Sequence, residues 1–206
     1  VRIAAPRRTK LDTLRVFAIS KLAWIKQQQK KLREQARQTP REHVDRETHY
    51  VWGKRYQLAL RTAEAAPIVT LQHKRMVLQV RPSATAEMRQ EVVAHWYREQ
   101  IRSALPALLA TWEKRIGVSA SHVFVQKMKT KWGSCNPRSG NIRLNTDLAK
   151  KPPHCLEYIV VHELIHLLEP HHNERFTRLM DQHLPDWRQR RVVLNGAPLG
   201  HEDWGY

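Results

Sequence analysis

The chain has 206 residues, 41% hydrophobic and 27% charged, with a formal net charge of +17. That is the balance of a globular protein able to bury a core in one domain, or in one domain with a smaller companion. No apolar run approaches the ~18 residues of a membrane-spanning helix, and no leading segment resembles a signal peptide. The two cysteines, Cys135 and Cys155, belong to no Cys-x-x-Cys pair. They exclude a disulfide framework and suggest a reducing, cytoplasmic setting.

The charge is uneven. Residues 1–82 hold 19 Lys+Arg against 6 Asp+Glu, a net of +13, and residues 83–206 hold 17 against 13, a net of +4. A basic N-terminal part suggests a polyanionic partner such as nucleic acid, or a solvated face that only aids solubility.

In chain order, Val1–Pro6 reads as the end of a strand whose partner would precede residue 1. Thr9 with Asp12 resembles a capping box, and Leu11, Leu14, Phe17, Ala18, Leu22 and Ile25 follow at helical spacing. That helix is expected to run to about Arg37, with Trp24 packed in a core. Tyr50–Leu60 alternates around Gly53-Lys54 as a hairpin, and Pro67–Leu71 pairs with Met76–Val80 about His73-Lys74. Residues 40–82 thus read as a small antiparallel sheet. His43, His49 and His73 fall in loop-like settings and receive no metal role.

Arg81-Pro82-Ser83 is the expected boundary between a basic α+β module, residues 1–82, and a second domain, residues 83–206. A long helix should follow from Thr85 to about Ile116, ended by Gly117 and kinked or broken at Pro106. Its expected apolar stripe is Met88, Val92, His95, Trp96, Ile101, Leu105 and Leu108-Leu109, with His95 a satisfied core histidine. Val123–Lys129 reads as a strand leading into Thr130–Cys135, and Asn141–Asn145 returns as another. Lys150-Lys151-Pro152-Pro153 then precedes a helix.

That helix carries Val160-Val161-His162-Glu163-Leu164-Ile165-His166-Leu167-Leu168. Two histidines four apart on a helix lie about 40° apart around its axis and about 6 Å along it. His162 and His166 can therefore reach one Zn²⁺, with Glu163 placed to take a proton from water at the metal. The alternative is a core helix whose histidines bond to backbone carbonyls, but core helices seldom carry two histidines and a glutamate in one apolar run. A catalytic zinc needs a third protein ligand, for which Glu169, His171, His172 and Glu174 are the candidates. Pro170 should turn the chain away near Leu168 or Glu169, letting a later side chain swing back. Spacing does not choose between His171 and His172. His172 gives His-x₃-His-x₅-His, but Glu169 stands where metzincins have glycine.

Trp132-Gly133-Ser134-Cys135, Ile142-Arg143-Leu144-Asn145, Tyr158 through His166, His172-x-x-x-Phe176 and Pro185–Arg191 together resemble the YgjP-like branch of SprT-type zinc metallopeptidases. The likeness is strong over residues 122–192, and looser ahead of them at Ala5-Pro6, Trp24-Ile25 and Gly53-Lys54-Arg55-Tyr56. The resemblance implies an α+β fold with a zincin-like catalytic domain, a small twisted sheet over the active-site helix, preceded by the N-terminal helix and small sheet. It implies His162, His166 and His172 as ligands of one zinc ion and Glu163 as general base. It also makes Lys131–Cys135 the candidate substrate strand, with Trp132, Gly133 and Ser134 as substrate-binding residues held mainly by backbone pairing. His171 is the candidate stabiliser of the oxyanion. Cys135 as an inhibitory thiolate is disfavoured, and Cys155 reads as a small buried hydrophobe.

The expected function is peptide-bond hydrolysis of a protein or peptide substrate, acting near nucleic acid if the basic module binds it. Some relatives of that branch are described as nucleoside triphosphate pyrophosphatases, so a phosphohydrolase is the alternative. Against it stand the lack of a phosphate-cradling glycine loop and of a carboxylate cluster suited to Mg²⁺. A third reading is a non-catalytic basic nucleic-acid-binding protein with a metal site. The Cys-rich zinc ribbon of DNA-linked SprT proteases is absent from this sequence, so their repair role is not implied.

Overall fold

The computed structural model describes residues 5, 6, 8–27, 43 and 45–196. The chain divides into two compact units, Thr39–Gly196 and Val1–Gln38 with Ala197–Tyr206. The boundary expected at Pro82-Ser83 falls inside the first of these.

In the smaller unit, α1 spans Leu11–Ser20, with Lys10 rather than Thr9 at the N-cap and no side-chain capping bond. The expected capping box is therefore not formed. A turn at Lys21 interrupts the helix, which resumes over 22–27. Trp24, expected in a core, is 60% exposed. Of the strand end expected over Val1–Pro6, residues 1–4 lie outside the described residues and Ala5-Pro6 are not in a strand. The expected helix beyond residue 27 also lies outside the described residues.

The larger unit opens with four strands: β1 Thr48–Val51, β2 Lys54–Thr62, β3 Ile68–Gln72 and β4 Arg75–Val80. The β1–β2 hairpin turns at Trp52-Gly53, both with positive φ (49° and 78°), one residue earlier than expected. Two left-handed residues match the twist of a two-residue hairpin loop, and glycine suits the second of them. It also sits tight against Pro152, where a Cβ would come within 2.8 Å of Cγ. The β3–β4 hairpin turns at His73-Lys74 as the sequence indicates.

The sheet itself is mixed, which corrects the antiparallel expectation. Its order is β1-β2-β4-β3, and β2 runs parallel to β4. Alternation identifies strands but not their neighbours, and here β4 inserts between two strands that are consecutive in sequence. His49, expected in a loop, is a fully buried residue of β1, 3.6 Å from Glu47.

Helix α2, Ala86–Ile116, starts at Thr85, whose hydroxyl accepts from the Met88 N–H, and ends at left-handed Gly117. Pro106 does not break it, since the helix continues through that position. Its buried residues are Val93, Tyr97, Ile101, Leu105, Trp112 and Ile116. Ile101 and Leu105 of the expected stripe are buried, but in the first half of the helix the buried face lies one residue on, at Val93 and Tyr97. Met88 and His95 are exposed, so His95 is not a core histidine. At Val92-Val93 and Trp96-Tyr97 both neighbours are apolar enough to face inward, and hydrophobicity alone cannot separate them.

A second sheet follows, from β5 His122–Gln126, β6 Gly133–Asn136 and β7 Asn141–Asn145, in the order β5-β7-β6. β5 stops at Gln126, three residues short of the expected end. β7 pairs in parallel with β5 and antiparallel with β6, leaving β6 at an edge. A 3₁₀ helix, Thr146–Lys150, leads to α3, Pro153–Ile165, then α4, Glu174–His183, and α5, Trp187–Asn195. The backbone N–H groups of Trp52 and Gly53 reach the carbonyls of Ala149 and Lys150, at 2.8 and 3.2 Å, tying the first sheet to that connection.

The connection has an electrostatic anchor. Asp147 is buried, which by itself would raise its pKa, but Lys150 at 2.6 Å and the adjacent Lys127 outweigh that and lower it to about 2. A carboxyl with a depressed folded-state pKa stabilises the fold above its unfolded pKa of ~3.9, and loses that contribution as pH falls toward the folded value. Asp147 should therefore contribute roughly 2 kcal/mol at neutral pH, lost between about pH 4 and pH 2. Urea midpoints measured across that range should fall less steeply for Asp147→Asn than for the wild type.

Candidate metal centre

Helix α3 begins with Pro153, where the missing N–H costs nothing. Ten of its residues, from Cys155 to Ile165, are buried, including the run Leu164-Ile165 at its end. Ile159, Val160 and Val161 are β-branched and weak helix formers. Burial of each large apolar side chain contributes about 1.5–3 kcal/mol and easily offsets that propensity. Cys155 is one of the fully buried residues, as expected of a small hydrophobe.

The helix stops earlier than Pro170 requires. His166 is its C-cap, and the N–H groups of Leu167 and Leu168 bond back three residues, to Leu164 and Ile165. This tightened turn ends at Pro170, and α4 starts after Asn173, whose side chain accepts from the Phe176 N–H at 3.0 Å. The return places His172 over His162 and His166.

Potential ligand atoms of His162, His166 and His172 all lie within 4.8 Å of one another. His172 Nε2 is 3.1 Å from His162 Nε2. Two ligands of a tetrahedral zinc at about 2.0–2.1 Å would stand about 3.3 Å apart, so this spacing suits such an ion. His166 Nδ1 is 3.0 Å from the Glu169 carbonyl, which fixes the ring and leaves Nε2 for a metal. Burial lowers the pKa of all three histidines, with His162 held well below the ordinary value, so each imidazole is kept neutral, its ligand form. Phe176 packs its ring 4.7–4.9 Å from all three imidazoles.

The other candidate ligands do not join this cluster. His171 is exposed and donates its backbone N–H to the Glu169 carboxylate. Glu169 faces Arg175 at 3.7 Å, and Glu174 is exposed beside Arg178 at 3.7 Å.

Glu163 is 1% exposed, and neither carboxylate oxygen has a hydrogen-bond partner. Burial raises its pKa to about 8, against a lowering influence from Lys131. A buried carboxylate without donors is costly unless a cation or a bound polar molecule meets it. Three neutral imidazoles, two from α3 and one from the return after it, with the Glu163 carboxyl beside them, fit a divalent zinc ion.

The second sheet presses against this helix. Gly133 lies so near Glu163 that a Cβ there would come 2.5 Å from Oε1 and 2.9 Å from Cδ and Cγ. Cys135 shares that face of β6, and burial, then Glu163, push its thiol up to about 11, so no thiolate is favoured. Ser134 is opposite the exposed Arg143. Trp132 is 2% exposed, which puts its ring in the core rather than on a cleft wall.

Sequence reasoning gave no role to Asn145 beyond its place in a strand. Its amide donates to the carbonyls of Met128 and Lys131, at 3.0 and 2.8 Å, and its Oδ1 accepts from Asp147 at 3.1 Å. These bonds hold the loop that delivers β6. The signal was an amide at a strand end, facing a six-residue link that needs its backbone satisfied.

No curated protein matches the sequence. Among solved structures, the chain is similar to the metallopeptidase zymogens abylysin from Pyrococcus abyssi (20% identity, TM-score 0.37) and jannalysin from Methanocaldococcus jannaschii (19%, 0.38). Each likeness covers 43% of this chain, and 91% and 90% of those chains respectively. The sequence pattern of the YgjP-like metallopeptidase domain matches residues 1–197. With that match spanning the α+β body and its histidine cluster, the chain belongs to the YgjP-like metallopeptidase family.

Proposed function

We propose that the protein hydrolyses peptide bonds with one zinc ion held by His162, His166 and His172, and with Glu163 as general base. The observation that carries this reading is the partnerless, buried Glu163 carboxylate beside three neutral imidazoles. A zinc ion there would supply Lewis acidity, bringing a water pKa toward about 7 and polarising a peptide carbonyl.

The protein's own groups do the rest. Glu163 takes the proton from the attacking water and hands it to the leaving amine. Gly133 leaves room for that carboxylate beside β6. The β6 segment with Gly133 and Ser134 is the proposed seat of an extended substrate beside Glu163. The Trp132 carbonyl accepts from the Asn145 N–H, and the Trp132 ring supports that strand from within. His171, at the rim, is the proposed hydrogen-bond partner of the tetrahedral oxyanion. Among the described residues no helix is long and apolar enough to cross a membrane, and a cytoplasmic setting is the one we propose. The phosphohydrolase and nucleic-acid readings rest on resemblance and charge, and no geometric feature of the site favours them.

Chelation provides the direct test. A zinc chelator should abolish cleavage of a denatured protein substrate, and added zinc should restore it. Release of phosphate or pyrophosphate from nucleoside triphosphates, with no peptide cleaved, would contradict the proposal.

A further inference from the structure

The residues from Lys127 to Trp132 link β5 to β6, and one side chain gathers that link. Asn145, the last residue of β7, is fully buried. Opposite it in β5 stands Gln126, where the link begins. At the link's other end the Asn145 N–H donates to the Trp132 carbonyl at 2.8 Å. Between those ends the side-chain amide donates to the carbonyls of Met128 and Lys131, at 3.0 and 2.8 Å. Its Oδ1 accepts from the N–H groups of Met128, at 3.5 Å, and Asp147, at 3.1 Å. Both donors and both lone pairs of the amide are thus used. Aspartate has the same shape but lacks the two donors, and alanine removes all four bonds.

The residue this link delivers is Gly133. A Cβ there would come 2.5 Å from Glu163 Oε1, so the first residue of β6 lies directly against the carboxylate. Neither oxygen of Glu163 has a hydrogen-bond partner. Its position is therefore set by what packs against it rather than by a directed bond. A displaced β6 opens or closes the space the carboxylate occupies, and the bonds of Asn145 are what oppose such a displacement.

We propose that Asn145 is a positioning residue for Glu163: it fixes the link, the link fixes the seat of β6 on α3, and that seat fixes the carboxylate. This role rests on the reading of Glu163 as general base and names the residue that holds the base in place.

A double-mutant cycle of Asn145→Ala and Gly133→Ala tests it, because both substitutions act on the same contact. Asn145→Ala alone should lower kcat/KM for peptide hydrolysis at least about tenfold, mainly through kcat, with zinc affinity kept within about threefold. In the Gly133→Ala background the same substitution should cost less than about threefold. An equal loss in both backgrounds would overturn the proposal, as would zinc affinity that falls in step with activity. Should Asn145→Ala fail to fold, Asn145→Asp, which keeps the shape and loses only the two donors, is judged by the same outcomes.

Cys135 reports the seat of β6 without any catalysis. It is half-buried, two residues beyond Gly133 on the same face of the strand, whereas Cys155 is fully buried. Its reaction with a chromogenic aromatic disulfide should be at least about fivefold faster in Asn145→Ala than in the wild type. An unchanged rate would overturn the proposal. A faster rate in a protein whose wild type cleaves no peptide would support Asn145 as the residue that seats β6 and overturn the peptidase. Peptide cleavage that Asn145→Ala leaves unaltered would do the reverse.

Discussion

Glu163→Gln should lower kcat/KM for peptide hydrolysis by about 10²–10⁴-fold while zinc content stays at the wild-type level. Glutamine keeps the size and shape of the side chain, so α3 and its packing against Gly133 are preserved. What it removes is the ability to accept a proton. The proposed ligand atoms belong to His162, His166 and His172, and none belongs to Glu163. Separate measurements of zinc by atomic absorption and of hydrolysis by steady-state kinetics would show the two properties parting. A variant that kept activity within a factor of three would remove Glu163 from the chemistry.

The second large effect is expected at Gly133. A Cβ at this position would overlap Glu163 Oε1 at 2.5 Å and crowd two further carbons of that side chain at 2.9 Å. The base is 1% exposed and sits on a helix buried along most of its length. Retreat therefore means a different Glu163 rotamer or a displaced β6, and either one moves the carboxylate relative to the substrate edge. A misplacement of about 1 Å in a catalytic group costs about 10²-fold in rate. Gly133→Ala should accordingly lose about that much in kcat/KM with zinc retained, and Gly133→Val more. Near wild-type activity in Gly133→Ala would show that the contact is slack.

These two residues illustrate what the sequence could disclose. His162, Glu163 and His166 stood out as candidates because metal chemistry needs these residue types at a helical spacing, inside a run otherwise too apolar to tolerate them. Thr85 and Gly117 marked the ends of α2 because capping depends on local backbone groups, and His73-Lys74 marked a turn for the same reason. The partnership of Gly133 with Glu163 was not legible, because thirty residues separate them and only the packing of β6 on α3 brings them together. The parallel pairing of β2 with β4 was hidden likewise, since alternation is the same for either neighbour. On α2 adjacent apolar residues left the buried face uncertain by one position. At the third ligand, spacing left His171 and His172 open and resemblance pointed to His172. The fold adds a mechanism for that choice in the turn after Ile165 and the Asn173 cap, which carry the His172 ring over the other two.

Zinc held by His162, His166 and His172 is the feature on which the proposed chemistry depends. The most direct measurement is zinc affinity, by competition with a chromophoric chelator, for the wild type, His172→Ala and His171→Ala. One tightly bound zinc is expected in the wild type and in His171→Ala, with affinity reduced by more than about a hundredfold in His172→Ala. Zinc retained by His172→Ala and lost by His171→Ala would contradict it.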